Sequence, residues 1–428
     1  MRALVYGMGI TGEAVSLALA ARGVDVERAD DELSGDGVRL RPRDGELSAL
    51  LDSVDMLVPS PGVPGGHPAI AEALRRGLPV VSELDLATDW DDRHRPVLAI
   101  TGTDGKTTVT TMVSDMLMAS GHKALAVGNT DVPFVAALDD DVDVFVVEAS
   151  SFRLRFTERF APQVATWLNL APDHLDWHGT VEAYAAAKAR IYEHQSADAT
   201  AIGNADDPVV MSALARAPAR HVTFGAAAGD YAVRNGDLVT AAGEALVSVD
   251  ELRRALPHDV ANALAAAATA LDGGGSIDAV RSVLRTFEGL PHRVTFVAEA
   301  DGIRWYDDSK ATAPHATAAA VAGFDHVVLI AGGRNKGLDL SALADSADRV
   351  RAVVAIGESA GDVAAAFASR VPVTEAGSMD EAVAAARRAA RAGDAVLLSP
   401  GCASFDWYRS YKERGDDFVR AVHELVGS

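Results

Sequence analysis

Glycine, lysine and hydroxyl residues with phosphate-binding chemistry occur together in Thr101-Gly102-Thr103-Asp104-Gly105-Lys106-Thr107-Thr108. The glycines allow a loop to wrap phosphates with its N–H groups, Lys106 would reach the β- and γ-phosphates, and Thr107 would offer its hydroxyl to Mg²⁺. The standard spacing has glycine at position 100, where this chain has Ile100, so the loop is shorter. The segment nevertheless predicts an ATP-binding loop between a strand and a helix.

Further reactive side chains occur close to the same segment. Glu148 directly follows the apolar run 144–147, where a carboxylate suits a Mg²⁺ ligand at the edge of a sheet. His174, in a loop after another strand, could bind a metal or orient a carboxylate. Lys188 lies in an alanine-rich helix, and a buried amine is costly unless it is paired or chemically changed. A solvated acid, an ordinary loop histidine and a snorkelling lysine remain the alternatives.

A second glycine motif, Gly7-x-Gly9-x-x-Gly12, lies near the N-terminus between a predicted strand and helix. This arrangement lets a helix N-terminus meet a diphosphate, and Asp30 falls about where an acid would reach a ribose. The motif is compatible with a nicotinamide dehydrogenase, with another nucleotide diphosphate, or with a tight turn that binds nothing.

The C-terminal part carries three polar loops, each directly after a predicted strand. In a parallel sheet the carboxyl ends of the strands share one edge, where ligands bind in open α/β folds. These loops therefore predict a shared ligand site, and they occupy residues 305–315, 332–337 and 399–406.

Composition narrows the classes of function. The 428 residues carry a formal net charge of −22, and six of the 39 cationic residues are lysines, which leaves 33 arginines. A lysine kept in such a chain is a candidate for chemistry that arginine cannot perform. The charge argues against nucleic-acid binding, and no apolar run approaches a membrane span. The single Cys402 forms no internal disulfide. We expect a cytoplasmic, monomeric protein with no nucleic-acid or membrane partner.

Alternating strands and helices along the chain predict an α/β fold with parallel sheets. The polar stretch 87–96, which ends in proline, predicts a linker. The segment LPVVSEL (78–84) predicts a further strand. The RNGD turn (234–237) indicates a hairpin, and FEGLPHRV (287–294) marks a second junction. We therefore expect three domains, which occupy residues 1–94, 95–289 and 290–428.

Taken together, these segments resemble the Mur ligases, ATP-dependent enzymes that form amide bonds in peptidoglycan precursors. The resemblance covers essentially the whole chain. It depends on the order and spacing of TGTDGKTT, VEASSF, NLAPDHLDWHG, AAKARIYE, NADD, LPHR, DDSKAT, GGRNKG and SPGCASFD. DDSKATAPHAT is similar to the branch that adds D-glutamate, and the Asp-Asn-Pro-Arg signature of the branch that adds a diamino acid is missing. Folylpolyglutamate synthetases share the central ATP unit but are not similar over residues 1–90.

The resemblance implies a Rossmann-like UDP-binding domain, a central P-loop-type ATPase domain and a Rossmann-like C-terminal domain. It implies catalytic roles for Lys106, Glu148, His174 and Lys188. The implied ATP contacts are Gly102, Thr103, Asp104, Gly105, Lys106, Thr107, Thr108, Asn262, Arg293, Asp308 and Lys310. The implied UDP-muramoyl contacts are Gly9, Ile10, Thr11, Asp30, Ser60, Pro61, Gly62 and Asn129. The implied D-glutamate contacts are Thr312, Lys336, Ser404, Phe405 and Tyr411. Two Mg²⁺ ions would be held by Thr107, Glu148, His174 and Lys188, and Lys188 would carry a CO₂-derived carbamate.

The implied reaction is the ATP-dependent joining of D-glutamate to UDP-N-acetylmuramoyl-L-alanine through an acyl phosphate. A related ligase that adds another amino acid is the alternative within the family. A nicotinamide dehydrogenase would leave the GTDGKTT loop and Glu148 unexplained. A non-enzymatic ATP-gated scaffold would release no phosphate with any amino acid.

Overall fold

The computed structural model describes residues 1–33 and 35–427 and has a mixed α/β fold. Ser34 and Ser428, which fall within the predicted domains 1–94 and 290–428, lie outside the described residues. The strands are β1 (Arg2–Tyr6), β2 (Asp25–Asp30), β3 (Val38–Leu40), β4 (Met56–Pro59), β5 (Val97–Thr101), β6 (Ala124–Gly128), β7 (Val144–Glu148), β8 (Val164–Trp167), β9 (Thr200–Asn204), β10 (Arg220–Gly225), β11 (Tyr231–Arg234), β12 (Asp237–Val239), β13 (Ala245–Ser248), β14 (Thr295–Ala300), β15 (Ile303–Asp307), β16 (Val327–Gly332), β17 (Val350–Ile356), β18 (Val373–Ala376) and β19 (Ala395–Leu398).

The α-helices cover the sheets and connect their strands. They are α1 (Ile10–Ala21), α2 (Asp44–Asp52), α3 (Pro68–Arg76), α4 (Glu83–Trp90), α5 (Lys106–Ala119), α6 (Ser151–Leu154), α7 (Leu175–His178), α8 (Val181–Glu193), α9 (Pro208–Leu214), α10 (Pro257–Asp272), α11 (Ile277–Thr286), α12 (Pro314–Val321), α13 (Ala360–Phe367), α14 (Met379–Ala389) and α15 (Tyr411–Val426). Short 3₁₀ segments occupy Phe134–Ala137, Val249–Glu251 and Leu340–Arg349.

The first sheet is parallel and runs in the order β3-β2-β1-β4. The glycine motif forms the turn from β1 into α1. A Cβ on Gly12 would lie 1.9 Å from the carbonyl oxygen of Gly7, so only glycine lets the helix approach the turn this closely. The predicted strand over 78–84 is present only as an isolated bridge between Val80 and Leu57, because Ser82 already caps α4.

The second sheet runs in the order β13-β12-β11-β10-β9-β8-β5-β7-β6. It is parallel from β6 to β11, and β12 and β13 add antiparallel pairs. Asn235 and Gly236 both have positive φ, at 53° and 88°, which confirms the predicted RNGD hairpin between β11 and β12. The phosphate loop follows β5, and Glu148 ends the neighbouring β7, so both lie at the carboxyl edge of the sheet.

The third sheet runs in the order β14-β15-β19-β16-β17-β18, with β14 antiparallel and the others parallel. Two apolar clusters cover its faces. One contains Phe324, Leu329 and Phe367, and the other contains Trp305, Ile330 and Phe418. The three polar loops of the C-terminal part follow β15, β16 and β19, as the strand pattern predicts.

The described chain divides into two compact units. The first holds Met1–Leu170, Trp177–Arg253 and Ala261–Phe287, and the second holds Ala171–Asp176, Arg254–Val260 and the chain from Glu288 onward. Within the first unit, one apolar core includes side chains of both the first and the second sheet.

The linker predicted over residues 87–96 is wrong in its first part, and only residues 91–96 connect α4 to β5. Ala87–Trp90 belong to α4, and Arg95 is buried, with its guanidinium 2.7 Å from Asp91 and 4.3 Å from the ring centre of Phe145. Polar composition misled the prediction because the arginine is paired with an acid and stacked on an aromatic ring. No helix among the described residues is long and apolar enough to span a membrane.

Candidate active site

The phosphate loop is held in place by Asn169 and Asn262. The Asn169 Oδ1 accepts hydrogen bonds from the N–H groups of Thr103 (3.0 Å) and Asp104 (2.9 Å). Gly105, at φ 83°, approaches Asn262 so closely that a Cβ would lie 2.4 Å from its Oδ1. The loop therefore has a fixed path into α5, whose N-terminus suits an anionic phosphate.

Two lysine amines meet at one carbonyl oxygen of this loop. Lys106 Nζ donates to Gly102 O (2.9 Å) and to Thr103 O (2.8 Å). Lys188 Nζ donates to the same Gly102 O (2.6 Å) and lies 4.5 Å from the ring centre of Tyr184. Lys188 is 1% exposed, so its amine is buried and is not the snorkelling lysine that the sequence left open.

The carboxylate of Glu148 is buried and only half satisfied. Its Oε1 accepts a hydrogen bond from Asn129 Nδ2 (2.8 Å). Its Oε2 is buried and has no hydrogen-bond partner within residues 1–33 and 35–427. A buried carboxylate oxygen normally has a partner, so an orphaned one fits a ligand position for a hard cation.

Among the described residues, no three His, Cys, Asp or Glu side chains form a group that could hold a metal ion. The predicted metal set includes only two residues of these types. Magnesium at Glu148 would therefore take further oxygen ligands from threonine hydroxyl, phosphate or water.

A cavity of about 690 Å³ lies in the first unit beside the glycine motif. All eight residues predicted to contact the UDP-muramoyl group line it: Gly9, Ile10, Thr11, Asp30, Ser60, Pro61, Gly62 and Asn129. The size suits a ligand much larger than a single phosphate. Sequence reasoning missed other lining residues, which include Tyr6, His67 and Arg153.

Asp30 and Asp31, two acids in the wall of this cavity, make different contacts. Asp30 contacts backbone N–H groups, and Asp31 contacts side chains. Asp30 Oδ2 accepts from the N–H of Met8 (2.6 Å), and Oδ1 accepts from the N–H groups of Glu32 and Leu33 (2.7 and 2.8 Å). Burial would raise the pKa of Asp30, but these backbone hydrogen bonds outweigh it and lower the pKa. Its carboxylate thus holds the glycine motif.

Asp31 is an ionised acid that is stabilised by its neighbours. It accepts from Tyr6 (2.7 Å) and Arg43 (3.2 Å), and it lies 3.2 Å from His67 Nε2. Burial alone would raise the pKa of Asp31, but these contacts lower it to about 2. The charge of this acid in the cavity wall is therefore compensated by Arg43, and Tyr6 stabilises the carboxylate through a neutral hydrogen bond.

In the second unit, Asp308 is a buried acid in a polar setting. Its Oδ2 accepts from Ser399 Oγ (2.7 Å) and its Oδ1 from the N–H of Val294 (3.2 Å). Burial raises the pKa of Asp308 to about 7, although Ser399 and the charge of Arg293 oppose the increase. Asp308 would therefore be partly protonated at neutral pH in this structure.

The residues predicted to bind D-glutamate lie on the loops of the third sheet and at the start of α15. Lys336 Nζ is 3.3 Å from the hydroxyl of Thr312. Lys310 Nζ lies 3.8 Å from the ring centre of Tyr411. Ser404 is buried, whereas the ring of the neighbouring Phe405 is exposed. Amines and hydroxyls thus come together at one edge of the sheet, as a carboxylate ligand requires.

Arg414 is a residue of this edge that sequence reasoning missed. It is buried, and its guanidinium donates to Ser309 O (2.8 Å), Ser309 Oγ (2.9 Å) and Cys402 O (3.1 Å). A Cβ on Gly333 would lie 3.2 Å from its Nη1. Arg414 therefore joins the loops after β15 and β19 by hydrogen bonds and lies close to Gly333 in the loop after β16. Burial lowers the pKa of Arg414 to about 10.

His174 has a left-handed backbone (φ 53°), and its Nε2 lies 3.3 Å from Asp173 Oδ2. It belongs to the segment Ala171–Asp176 of the second unit, whereas Thr107, Glu148 and Lys188 belong to the first. The predicted ATP contacts are also divided between the units. The second unit holds Arg293, Asp308 and Lys310, and the first holds the phosphate loop and Asn262.

Comparison with known protein families decides between the classes of nucleotide-binding protein. The family model for the Mur ligase middle domain matches residues 100–270, and the model for the Mur ligase glutamate ligase domain matches residues 292–402. A protein of Frankia casuarinae named UDP-N-acetylmuramoylalanine–D-glutamate ligase is 45% identical over 99% of this chain and 94% of its own length. This chain belongs to the Mur ligase family. A Thermobifida fusca protein of the same name is 42% identical over 100% of this chain and 99% of its own.

Solved structures of Mur ligases share the fold of this family member. UDP-N-acetylmuramate-alanine ligase from Thermotoga maritima superposes with a TM-score of 0.61 at 19% identity, over 99% of this chain and 100% of the other. A pseudomurein peptide ligase from Methanothermus fervidus gives 0.63 at 18% identity, over 99% of both chains. These similarities confirm the predicted α/β fold with parallel sheets.

Proposed function

We propose that this Mur ligase joins D-glutamate to UDP-N-acetylmuramoyl-L-alanine, with ATP converted to ADP and phosphate. The observation that carries the proposal is the similarity, over nearly the full length, to enzymes named for this reaction. The support from the structure is a phosphate loop held by Asn169, a cavity of about 690 Å³, and an edge of amines and hydroxyls in the second unit. A nicotinamide dehydrogenase would not need the paired Lys106 and Lys188 at the phosphate loop.

In the first step, an oxygen of the L-alanine carboxylate attacks the γ-phosphorus of ATP, and the bond to the bridging oxygen of ADP breaks. The loop N–H groups and the start of α5 orient the phosphates, and Lys106 exchanges its carbonyl partners for phosphate oxygens. Asn262, Arg293, Asp308 and Lys310 are proposed as further ATP contacts. The product of this step is an acyl phosphate.

In the second step, the amine of D-glutamate attacks the acyl carbon, a proton is lost and phosphate leaves. Lys336 and Thr312 would bind one carboxylate of D-glutamate, with Ser404 and the N–H of Phe405 at the other and Tyr411 alongside. Arg414 would not touch the amino acid, but it keeps the loops in register.

Thr107 and Glu148 would hold one Mg²⁺, and His174 and Lys188 would help to hold a second. When bound, magnesium supplies positive charge that neutralises the phosphate oxygens. The orphaned Oε2 of Glu148 fits such a ligand role.

We also propose that Lys188 reacts with CO₂. The neutral amine attacks the carbon of CO₂ and loses a proton, which gives a carbamate. Because Lys188 and Lys106 share one carbonyl oxygen, this change replaces two neighbouring cations with an ion pair. If so, depletion of bicarbonate will lower the activity and its return will restore it, and ¹³C-labelled bicarbonate will give a carbamate resonance that Lys188→Ala lacks. An activity independent of bicarbonate would contradict the carbamate.

The domains 1–94, 95–289 and 290–428, the monomeric state and the cytoplasmic location stay predictions. The proposed reaction is tested by mass spectrometry of the product formed from ATP, Mg²⁺, D-glutamate and UDP-N-acetylmuramoyl-L-alanine. We expect the nucleotide sugar to gain one glutamyl residue. No gain in mass, at any enzyme concentration, would contradict the proposal.

A further inference from the structure

Arg153 lies in α6 between the cavity and Glu148, and the function proposed above gives it no role. Its side chain is 5% exposed and lines the cavity. Its Nη2 donates to Thr11 Oγ1 (2.9 Å), its Nη1 donates to Asn129 Oδ1 (2.9 Å), and its Nε donates to Glu83 Oε2 (3.2 Å). One guanidinium therefore connects the glycine motif of the first sheet to the carboxyl edge of the second.

A guanidinium has only donors, so every oxygen it contacts must accept. Because Thr11 Oγ1 accepts from Arg153, the hydroxyl proton of Thr11 must point elsewhere, and Thr11 lines the cavity. The contact with Arg153 thus orients the Thr11 hydroxyl so that it can donate a hydrogen bond to an oxygen of a ligand in the cavity.

The same logic fixes the amide of Asn129. Its Oδ1 must face Arg153, which turns its Nδ2 towards Glu148 Oε1 at 2.8 Å. This donation occupies one oxygen of Glu148 and leaves Oε2 for a cation. Without Arg153, Asn129 Oδ1 would lose this donor, and the Asn129 side chain would be held less firmly beside Glu148 Oε1.

Glu83 anchors the guanidinium from the other side. It is 3% exposed, and its Oε1 accepts from the N–H of Val135 (3.1 Å). Ser82 Oγ in addition donates to the backbone carbonyl of Arg153 (2.8 Å). These contacts tie Arg153 to α4 and leave its Nη1 and Nη2 to hold Asn129 and Thr11.

We propose that Arg153 is a positioning residue that couples occupation of the nucleotide-sugar cavity to magnesium–nucleotide binding at Glu148. The proposal rests on the function proposed above, because it takes UDP-N-acetylmuramoyl-L-alanine as the ligand of the cavity. A ligand that binds Thr11 and Asn129 stabilises the arrangement in which Glu148 Oε2 faces a cation. By linkage, each ligand then tightens the binding of the other by the same factor.

The test is calorimetric titration of the full chain with Mg²⁺ and a non-hydrolysable ATP analogue, with and without saturating UDP-N-acetylmuramoyl-L-alanine. In the unaltered protein we expect the nucleotide sugar to tighten analogue binding at least about fivefold. Arg153→Lys keeps the charge but loses the planar fork that reaches both acceptors, so we expect the factor to fall below about twofold.

Two further variants distinguish a loss of coupling from a loss of folding. Glu83→Gln/Arg153→Met removes both members of the buried pair, so no uncompensated charge remains, and it should abolish the coupling while the analogue alone still binds. Glu83→Gln alone keeps the contacts of Arg153 with Thr11 and Asn129, so it should lower the melting temperature but retain the coupling.

A coupling factor that persists in Arg153→Lys and in the double variant would overturn the proposal, as would a factor of one in the unaltered protein. Failure of the proposed function can be distinguished from failure of the coupling, because the unaltered protein would then form no glutamylated product. A purely structural role for Arg153 would change the melting temperature of every variant and leave the coupling factor unchanged.

Discussion

The two carboxylate oxygens of Glu148 differ in their hydrogen bonding. Oε1 is held by Asn129, and Oε2 is buried without a partner among the described residues. The sequence placed an acid at the end of β7, because parallel strands bring such residues to one edge. It could not show which oxygen stays open, because that depends on Asn129, which lies 19 positions away.

Glu148→Gln tests the metal role at this position. The amide oxygen of glutamine can still accept from Asn129, so the variant should fold, but its NH₂ group cannot bind a cation. We expect phosphate release to fall by roughly 100-fold or more, since a positioned charge is lost at the reacting phosphate. Glu193→Gln is the matched control, because the Glu193 side chain at the end of α8 is half-exposed, and it should keep full activity. Equal activities of the two variants would contradict the role.

Asp308 makes the stability of the second unit depend on pH. Its carboxyl has an ordinary pKa of 3.8 when unfolded and a pKa raised to about 7 when folded, chiefly by burial. Between these pH values the folded state keeps a proton that the unfolded state has lost. The contribution of Asp308 to the stability is therefore complete at low pH and is lost as the pH rises towards 7. We expect the free energy of unfolding to fall by up to about 1.4 kcal/mol per pH unit.

Urea unfolding at pH 5, 6 and 7 measures this dependence. Asp308→Asn, which cannot titrate, should show a flatter profile than the unaltered protein. Other titrating groups are common to both proteins, so the difference between them isolates this carboxyl. Parallel profiles would contradict a pKa near 7 for Asp308.

At the scale of elements, the sequence predicted the alternation of strands and helices because their apolar patterns and glycine turns agree with the tertiary structure. The RNGD hairpin is one such case, since Asn235 and Gly236 tolerate positive φ. The linker over 87–96 was predicted too long, because the polarity of the segment was taken for exposure. Arg95 is polar and yet buried, and its partners Asp91 and Phe145 become visible only in the folded chain.

The turn from β1 into α1 offers a prediction within one motif. A Cβ on Gly12 would meet the Gly7 carbonyl oxygen at 1.9 Å, whereas a Cβ on Gly9 meets nothing within 4 Å. We expect Gly12→Ala to destabilise the first unit by about 1–3 kcal/mol or more, and Gly9→Ala to leave its stability nearly unchanged. Chemical denaturation of both variants measures the difference. A Gly12→Ala variant as stable as Gly9→Ala would show that α1 can move away from the turn.

At the scale of the whole molecule, a net charge of −22 surrounds a site proposed for anionic substrates. Binding of anionic substrates must therefore depend on local cations, and four of the six lysines lie at the phosphate loop or on the loops of the third sheet. The sequence could predict these lysines because they stand in motifs. It could not predict Arg153 or Arg414, whose partners are up to 142 and 105 positions away.

The central claim is that the ligase chemistry of this chain requires D-glutamate. Phosphate release should be measured with ATP, Mg²⁺ and UDP-N-acetylmuramoyl-L-alanine, in the presence of D-glutamate, L-glutamate, meso-diaminopimelate or no amino acid. The account predicts rapid release with D-glutamate and only background release with the others. Equal release with another amino acid would contradict the binding roles of Lys336, Thr312 and Ser404, and no release with any of them would contradict the proposed reaction itself.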